Sequence, residues 1–154
     1  MSLGEIRTLD GYCLDTYGRK NGDLIGLAKC HGLGGNQVFA MSRNAQIMND
    51  DNCLDVPGPN KPIKLVRCHS SGGNQAWSYD EETMQIKHKS SKKCLEKPDP
   101  KSDPTKPRLR ICDPDKQTQK WRLVSNFKWQ QKGHKSPISP IDTLIEENNE
   151  DKEM

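Results

Sequence analysis

The 154 residues are 31% hydrophobic and 29% charged, and only eight are aromatic (three Trp, three Tyr, two Phe). That length suits about one domain, the low apolar content argues against a single large oily core, and a net charge of +3 gives no strong nucleic-acid signal. No run of about 18 apolar residues is present to span a bilayer, and MSLGEIRTL lacks the charged-then-apolar order of a secretory leader.

In chain order the first landmarks are CLD at 13–15 and CHGLGGNQVF at 30–39. Both return, as CLD at 53–55 and CHSSGGNQAW at 68–77, and again in a poorer form as CLE at 94–96 and CDPDKQTQKW at 112–121. The first cysteines of the three copies lie 40 and then 41 residues apart. Self-similarity at a fixed period marks a repeat architecture, here three repeats of about 40 residues at roughly 6–45, 46–86 and 87–126.

Six cysteines fall as one pair per repeat, separated by 17, 15 and 18 residues. Six cysteines allow 15 connectivities, but three equivalent modules most simply close three equivalent loops, Cys13–Cys30, Cys53–Cys68 and Cys94–Cys112. Each closure is worth roughly 3 kcal/mol in the chain-entropy model. The competing readings are six reduced thiols or a zinc site; no C-x-x-C is present, and adjacent Cys-His side chains on an extended chain point apart. Disulfides imply the secretory pathway, and with no leader in sight the chain reads as a piece of a longer secreted or lumenal protein.

LVRC and MQIKH alternate briefly, while NGD, PGPNKP, SSGG and KPDPKSDPTKP are turn material. No long 3.6-residue period develops, so the chain is expected to be all-β. Three repeats that each carry little apolar surface suit a closed pseudo-threefold β-trefoil around one shared core. Phe39, Trp77 and Trp121 end the repeats and are expected in that core. Gln37, Gln75 and Gln119, two residues earlier, are expected on the same strand face, satisfying buried backbone or reaching a binding loop. Domain boundaries follow as 1–126 for the trefoil and 127–154 for a mostly disordered tail, which has four basic and six acidic residues and neither cysteine nor repeat.

Three copies of C-L-D … C … Q-x-W resemble the ricin B-type lectin domains. SLGEIR followed by CLD, CHGLGGNQVF, a second CLDV and KCLE is more closely similar to the C-terminal lectin domain of polypeptide N-acetylgalactosaminyltransferases, over about residues 2–125. The resemblance implies a β-trefoil that follows a Golgi glycosyltransferase domain. It also implies a module that binds GalNAc on glycopeptides or mucin-type glycoproteins and directs further glycosylation. The implied partners are those ligands and the parent's transferase domain, with no nucleic acid and no membrane contact. No cofactor is implied for this domain, although the parent family uses manganese and UDP-GalNAc.

The residues read the same way. A sugar needs a carboxylate for two vicinal hydroxyls and an amide beside it, which Asp15 with Asn36 and Asp55 with Asn74 supply. His31 and His69 can bond a hydroxyl or an acetamido group, and the glycine pairs 34–35 and 72–73 let each loop curl so that Asn faces Asp. The third repeat has Glu96, Asp113, Thr118 and Lys116-Gln117 at those places, so it reads as structural. Sugar-binding members of the family commonly have an aromatic platform two residues before the second cysteine; here Ala28 and Val66 stand there, which implies weak binding or help from Tyr17. No Asp-x-His, G-x-S-x-G, H-E-x-x-H or P-loop occurs, so this chain reads as non-catalytic. A second reading is a protein-interaction trefoil with relic sugar pockets. Between Lys87 and Arg110, nine basic and three acidic residues make either a solvated face or a surface that steers acidic glycopeptides.

Overall fold

A computed structural model describes residues 2–18, 21–58, 61–69, 71–98 and 106–125. The tail expected over 127–154 lies outside the described residues. Each repeat supplies four short strands. The first gives β1 (Ser2–Thr8), β2 (Tyr12–Asp15), β3 (Gly26–Lys29) and β4 (Phe39–Met41). The second gives β5 (Ile47–Asn49), β6 (Asn52–Asp55), β7 (Lys64–Arg67) and β8 (Trp77–Asp80). The third gives β9 (Gln85–His88), β10 (Cys94–Glu96), β11 (Arg108–Arg110) and β12 (Trp121–Ser125).

Every ladder is antiparallel, as short connections allow. The second and third strands of each repeat form a hairpin, β2–β3, β6–β7 and β10–β11. The chain closes on itself where β1 pairs β12 from Gly4↔Ser125 to Thr8↔Trp121, which removes two exposed edges. This is the all-β trefoil.

The core explains how so little apolar material suffices. Equivalent positions of the three repeats meet as sets: Ile6, Ile47 and Ile86; Leu14, Leu54 and Leu95; Phe39, Trp77 and Trp121. None of these is more than 3% exposed, and each buried side chain of this size contributes about 1.5–3 kcal/mol. The two indoles also anchor the hairpins, since Trp77 Nε1 donates to the Leu54 carbonyl (3.0 Å) and Trp121 Nε1 to that of Leu95 (2.9 Å). Bridges Cys13–Cys30, Cys53–Cys68 and Cys94–Cys112, with Cα–Cα separations of 5.1, 5.0 and 5.0 Å, tie each hairpin base.

One local expectation needs correction. Gln37, Gln75 and Gln119 do not share a strand with the aromatic residue two places on; each closes a 3₁₀ turn, at Gly35–Gln37, Gly73–Gln75 and Gln117–Gln119. In the first two repeats the glycine pairs sit at φ of 82° and 61°, and of 70° and 58°, which turns the chain inward before the last strand begins.

Candidate functional site

The 3₁₀ turns deliver a fully buried glutamine to the same place three times. In repeat 1, Gln37 Oε1 accepts the His31 N–H (3.1 Å), and Nε2 donates to the Lys29 carbonyl (2.9 Å) and to Asp15 Oδ2 (2.8 Å). In repeat 2, Gln75 takes the His69 N–H (3.0 Å) and donates to Arg67 O (3.1 Å) and Asp55 Oδ2 (3.0 Å). In repeat 3, Gln119 does the same with Asp113, Ile111 and Glu96 at 2.9, 2.9 and 3.0 Å. The glutamine therefore links the second cysteine's flanks to the acid of CLD or CLE, and fixes one carboxylate oxygen in each repeat. Burying that amide is tolerable because both of its ends are satisfied.

Around Asp15 the geometry gathers the expected residues. Asp15 is 6% exposed, and its Oδ1 accepts the Tyr17 N–H at 2.7 Å. The Asn36 carbonyl accepts the Thr16 N–H (2.9 Å), which ties its loop beside the acid; its side-chain amide bonds no described residue. His31 Nδ1 accepts the Leu33 N–H at 2.9 Å, so a neutral ring carries its proton on Nε2, as an exposed donor.

Tyr17 adds what residue 28 lacks. Held by the Asp15 turn at a φ of 55°, it folds back so that its ring covers Gly26 and its hydroxyl donates to the Leu27 carbonyl. A Cβ on Gly26 would overlap that ring. Gly26 is the cross-strand partner of Asp15 and faces the same side of the hairpin. Tyr17 stays 36% exposed there, so an aromatic surface stands beside the carboxylate after all.

Repeat 2 repeats the trio with two differences. Asp55, also 6% exposed, has Pro57 where Tyr17 stands in repeat 1, so Oδ1 receives no backbone N–H. Lys64, its cross-strand partner, takes the place of Gly26. His69 Nδ1 accepts the Ser71 N–H (3.2 Å), again leaving Nε2 outward, and the Asn74 carbonyl accepts the Val56 N–H (3.1 Å).

In repeat 3, Lys116 replaces the first loop glycine and its Nζ lies 3.0 Å from Glu96 Oε1, the same oxygen that holds Gln119. The carboxylate is engaged from within. Among the described residues, Glu5 lies beside Cys13 and Cys30 in the manner of a metal-ligand set, but both sulfurs belong to the disulfide and one carboxylate remains.

His88 is a residue that the sequence reading did not single out. It is 2% exposed, packs on Trp77 with ring centroids 4.9 Å apart, meets Ser91 Oγ at 2.8 Å through Nδ1, and meets the Asn74 carbonyl at 3.0 Å through Nε2. That carbonyl can only accept, so Nε2 carries the proton and the Ser91 hydroxyl donates to Nδ1. Burial pushes its pKa below the ordinary 6.5, against the opposing pulls of the Asn74 carbonyl and the Asp55 charge. As pH falls the unfolded chain therefore takes up this proton first. The stability His88 contributes is complete above about pH 6.5 and is lost as pH falls through the lower folded value. Acidification from neutral should lower the melting temperature more in the native chain than in His88→Gln. Equal slopes in the two proteins would show that the imidazole plays no such part.

The profile of the ricin-type beta-trefoil lectin domain matches residues 2–121. The chain belongs to that family. It is 42% identical over 123 residues to human polypeptide N-acetylgalactosaminyltransferase 13, an alignment covering 79% of this chain and 22% of the transferase. The crystal structure of GalNAc-T7 with UDP, GalNAc and Mn2+ superposes with a TM-score of 0.72 at 30% identity, over 81% of this chain and 22% of that one. Agglutinin from Abrus precatorius shares the fold, with a TM-score of 0.65 at 18% identity over 79% of this chain and 46% of that one. The chain thus spans about a fifth of the transferases it matches. The residues matched are those of a lectin domain, a carbohydrate-binding module. Among the described residues no helix is long and apolar enough to cross a membrane.

Proposed function

We propose that this domain binds GalNAc-bearing glycopeptides through two pockets, Asp15/His31/Asn36 and Asp55/His69/Asn74. In this reading it directs a parent polypeptide N-acetylgalactosaminyltransferase, working in the Golgi lumen with manganese and UDP-GalNAc, toward partly glycosylated substrates. The observation that supports the reading is the repeated brace: a buried glutamine holds each carboxylate and the backbone N–H of an exposed histidine, while the carbonyl of the loop asparagine bonds the residue after the acid. A carboxylate oxygen that spends one lone pair on glutamine keeps others for ligand hydroxyls. Acceptor, histidine donor and amide together match the alternating donors and acceptors of an N-acetylated sugar. Repeat 3 supports the same logic by contrast, because Lys116 occupies its acid.

Tyr17 makes repeat 1 the stronger pocket in this account, since its ring offers a sugar the apolar face that Ala28 and Val66 do not. Aromatic contacts contribute up to about 1.5 kcal/mol, or roughly tenfold in affinity. A GalNAc-peptide titrated into the native chain should shift the amide NMR signals of both loops, at lower concentration around Asp15, while the bare peptide leaves them in place. Tyr17→Ala should raise the repeat 1 dissociation constant by up to about tenfold and leave repeat 2 unchanged. Identical shifts with and without the sugar would overturn the reading.

A further inference from the structure

The basic run between Lys87 and Arg110 is not one uniform face. Lys97 pairs with Asp10 at 2.8 Å, and that charge is matched. Lys61, Lys93, Lys106, Arg108 and Arg110 line a groove of about 510 Å3 at the junction of repeats 2 and 3. No carboxylate is among its described lining residues. The ammonium groups of Lys61 and Lys93 bond no described residue, and Arg110 reaches only the neighbouring Leu109 carbonyl, at 2.9 Å. Val56, Pro62, Pro107 and Leu109 add apolar surface to the same lining.

We propose that this groove is a binding site for an acidic peptide segment. The side chains of Lys61, Lys93 and Arg110, which meet no carboxylate among the described residues, bring positive charge to one concavity, and such a charge attracts and retains negative groups. The volume falls in the range of about 300–1,000 Å3 usual for ligand sites, which is more than a bare inorganic ion requires. A lining that mixes cations with apolar groups fits glutamate or aspartate side chains, whose aliphatic stems meet the apolar groups while the carboxylates meet the cations. Nucleic acid fits less well: single strands rely on exposed aromatic rings for stacking, and the ring in the described lining, His88, is buried. Asn74 is among its lining residues, so the groove borders the repeat 2 pocket. A peptide whose sugar sits at Asp55 would lay its neighbouring residues along it. The groove's own affinity for acidic peptide does not depend on that sugar.

The test uses the full chain and a short fluorescent peptide of alternating glutamate and alanine without sugar, beside a counterpart with glutamine for every glutamate. The acidic peptide should bind, weaken as ionic strength rises, and move the amide signals of Ser90–Lys93 and Arg108–Arg110 in the native chain. The glutamine peptide should not bind. The double variant Lys61→Glu with Lys93→Glu exchanges two attractions for two repulsions and should weaken binding about tenfold. Equal binding of both peptides, no binding of the acidic one, or shifts elsewhere on the native chain would overturn the proposal. So would displacement by inorganic sulfate at the concentration of the peptide itself, which would mark a simple anion site. Because the probe carries no sugar, failure here leaves the GalNAc titration standing, and failure of that titration leaves this result standing.

Discussion

Gln119→Leu should destabilise the domain by about 3–6 kcal/mol, even though it touches the repeat assigned no ligand. The substitution keeps the volume and removes the amide, leaving the Asp113 N–H, the Ile111 carbonyl and the Gln85 amide that donates at 2.8 Å without that partner, and Glu96 with Lys116 alone. Each buried polar group left unpaired costs about 1–3 kcal/mol, with water recovering part of the sum. Against a typical total of about 5–15 kcal/mol, that loss is large. Denaturant unfolding under oxidising conditions measures it. A change below about 1 kcal/mol would mean that the glutamine brace is incidental.

Asp15→Ala and Asp55→Ala should each abolish binding at their own repeat. Charge-assisted hydrogen bonds are worth about 1.5–3 kcal/mol each, and a weak sugar site that loses two of them retains nothing measurable. The two pockets share no partner among the described residues, so each single variant should leave the other site nearly intact. Asp15→Ala also removes the acceptor of the Tyr17 N–H and should loosen the platform, an effect with no counterpart at Asp55, where Pro57 has no N–H. Glu96→Ala should leave glycopeptide affinity unchanged while costing some stability, because Lys116 and Gln119 lose a partner.

The threefold fold was legible because it was written three times. Cysteine spacing, the CLD landmarks and the closing aromatics all recur in register, and the trefoil follows from needing one core for three poor modules. The strand assignment of the glutamines was not legible. Offset two suggests a shared strand face, but the glycine pairs at positive φ turn the chain into a 3₁₀ turn first. The loss of the amide and the glycines from repeat 3 could be read directly; the ion pair that occupies Glu96 could not, because it depends on where a long lysine side chain reaches. Tyr17 shows the same limit. Its place over Gly26 depends on a tight turn and a residue that lacks a side chain nine positions away, a coincidence that neither position announces alone. His88 was hidden within the basic run, and only the fold sets it against Trp77 and the Asn74 carbonyl.

Calorimetry with one GalNAc-bearing peptide, on the native chain and on the variant carrying both Asp15→Ala and Asp55→Ala, tests the central claim most directly. Thermal melts and the three intra-repeat bridges serve to confirm that the variant is folded. The account predicts sugar-dependent heat with the native chain and none with the double variant. Undiminished binding by a folded double variant would contradict it, because the sugar would then be held somewhere other than at the two braced carboxylates.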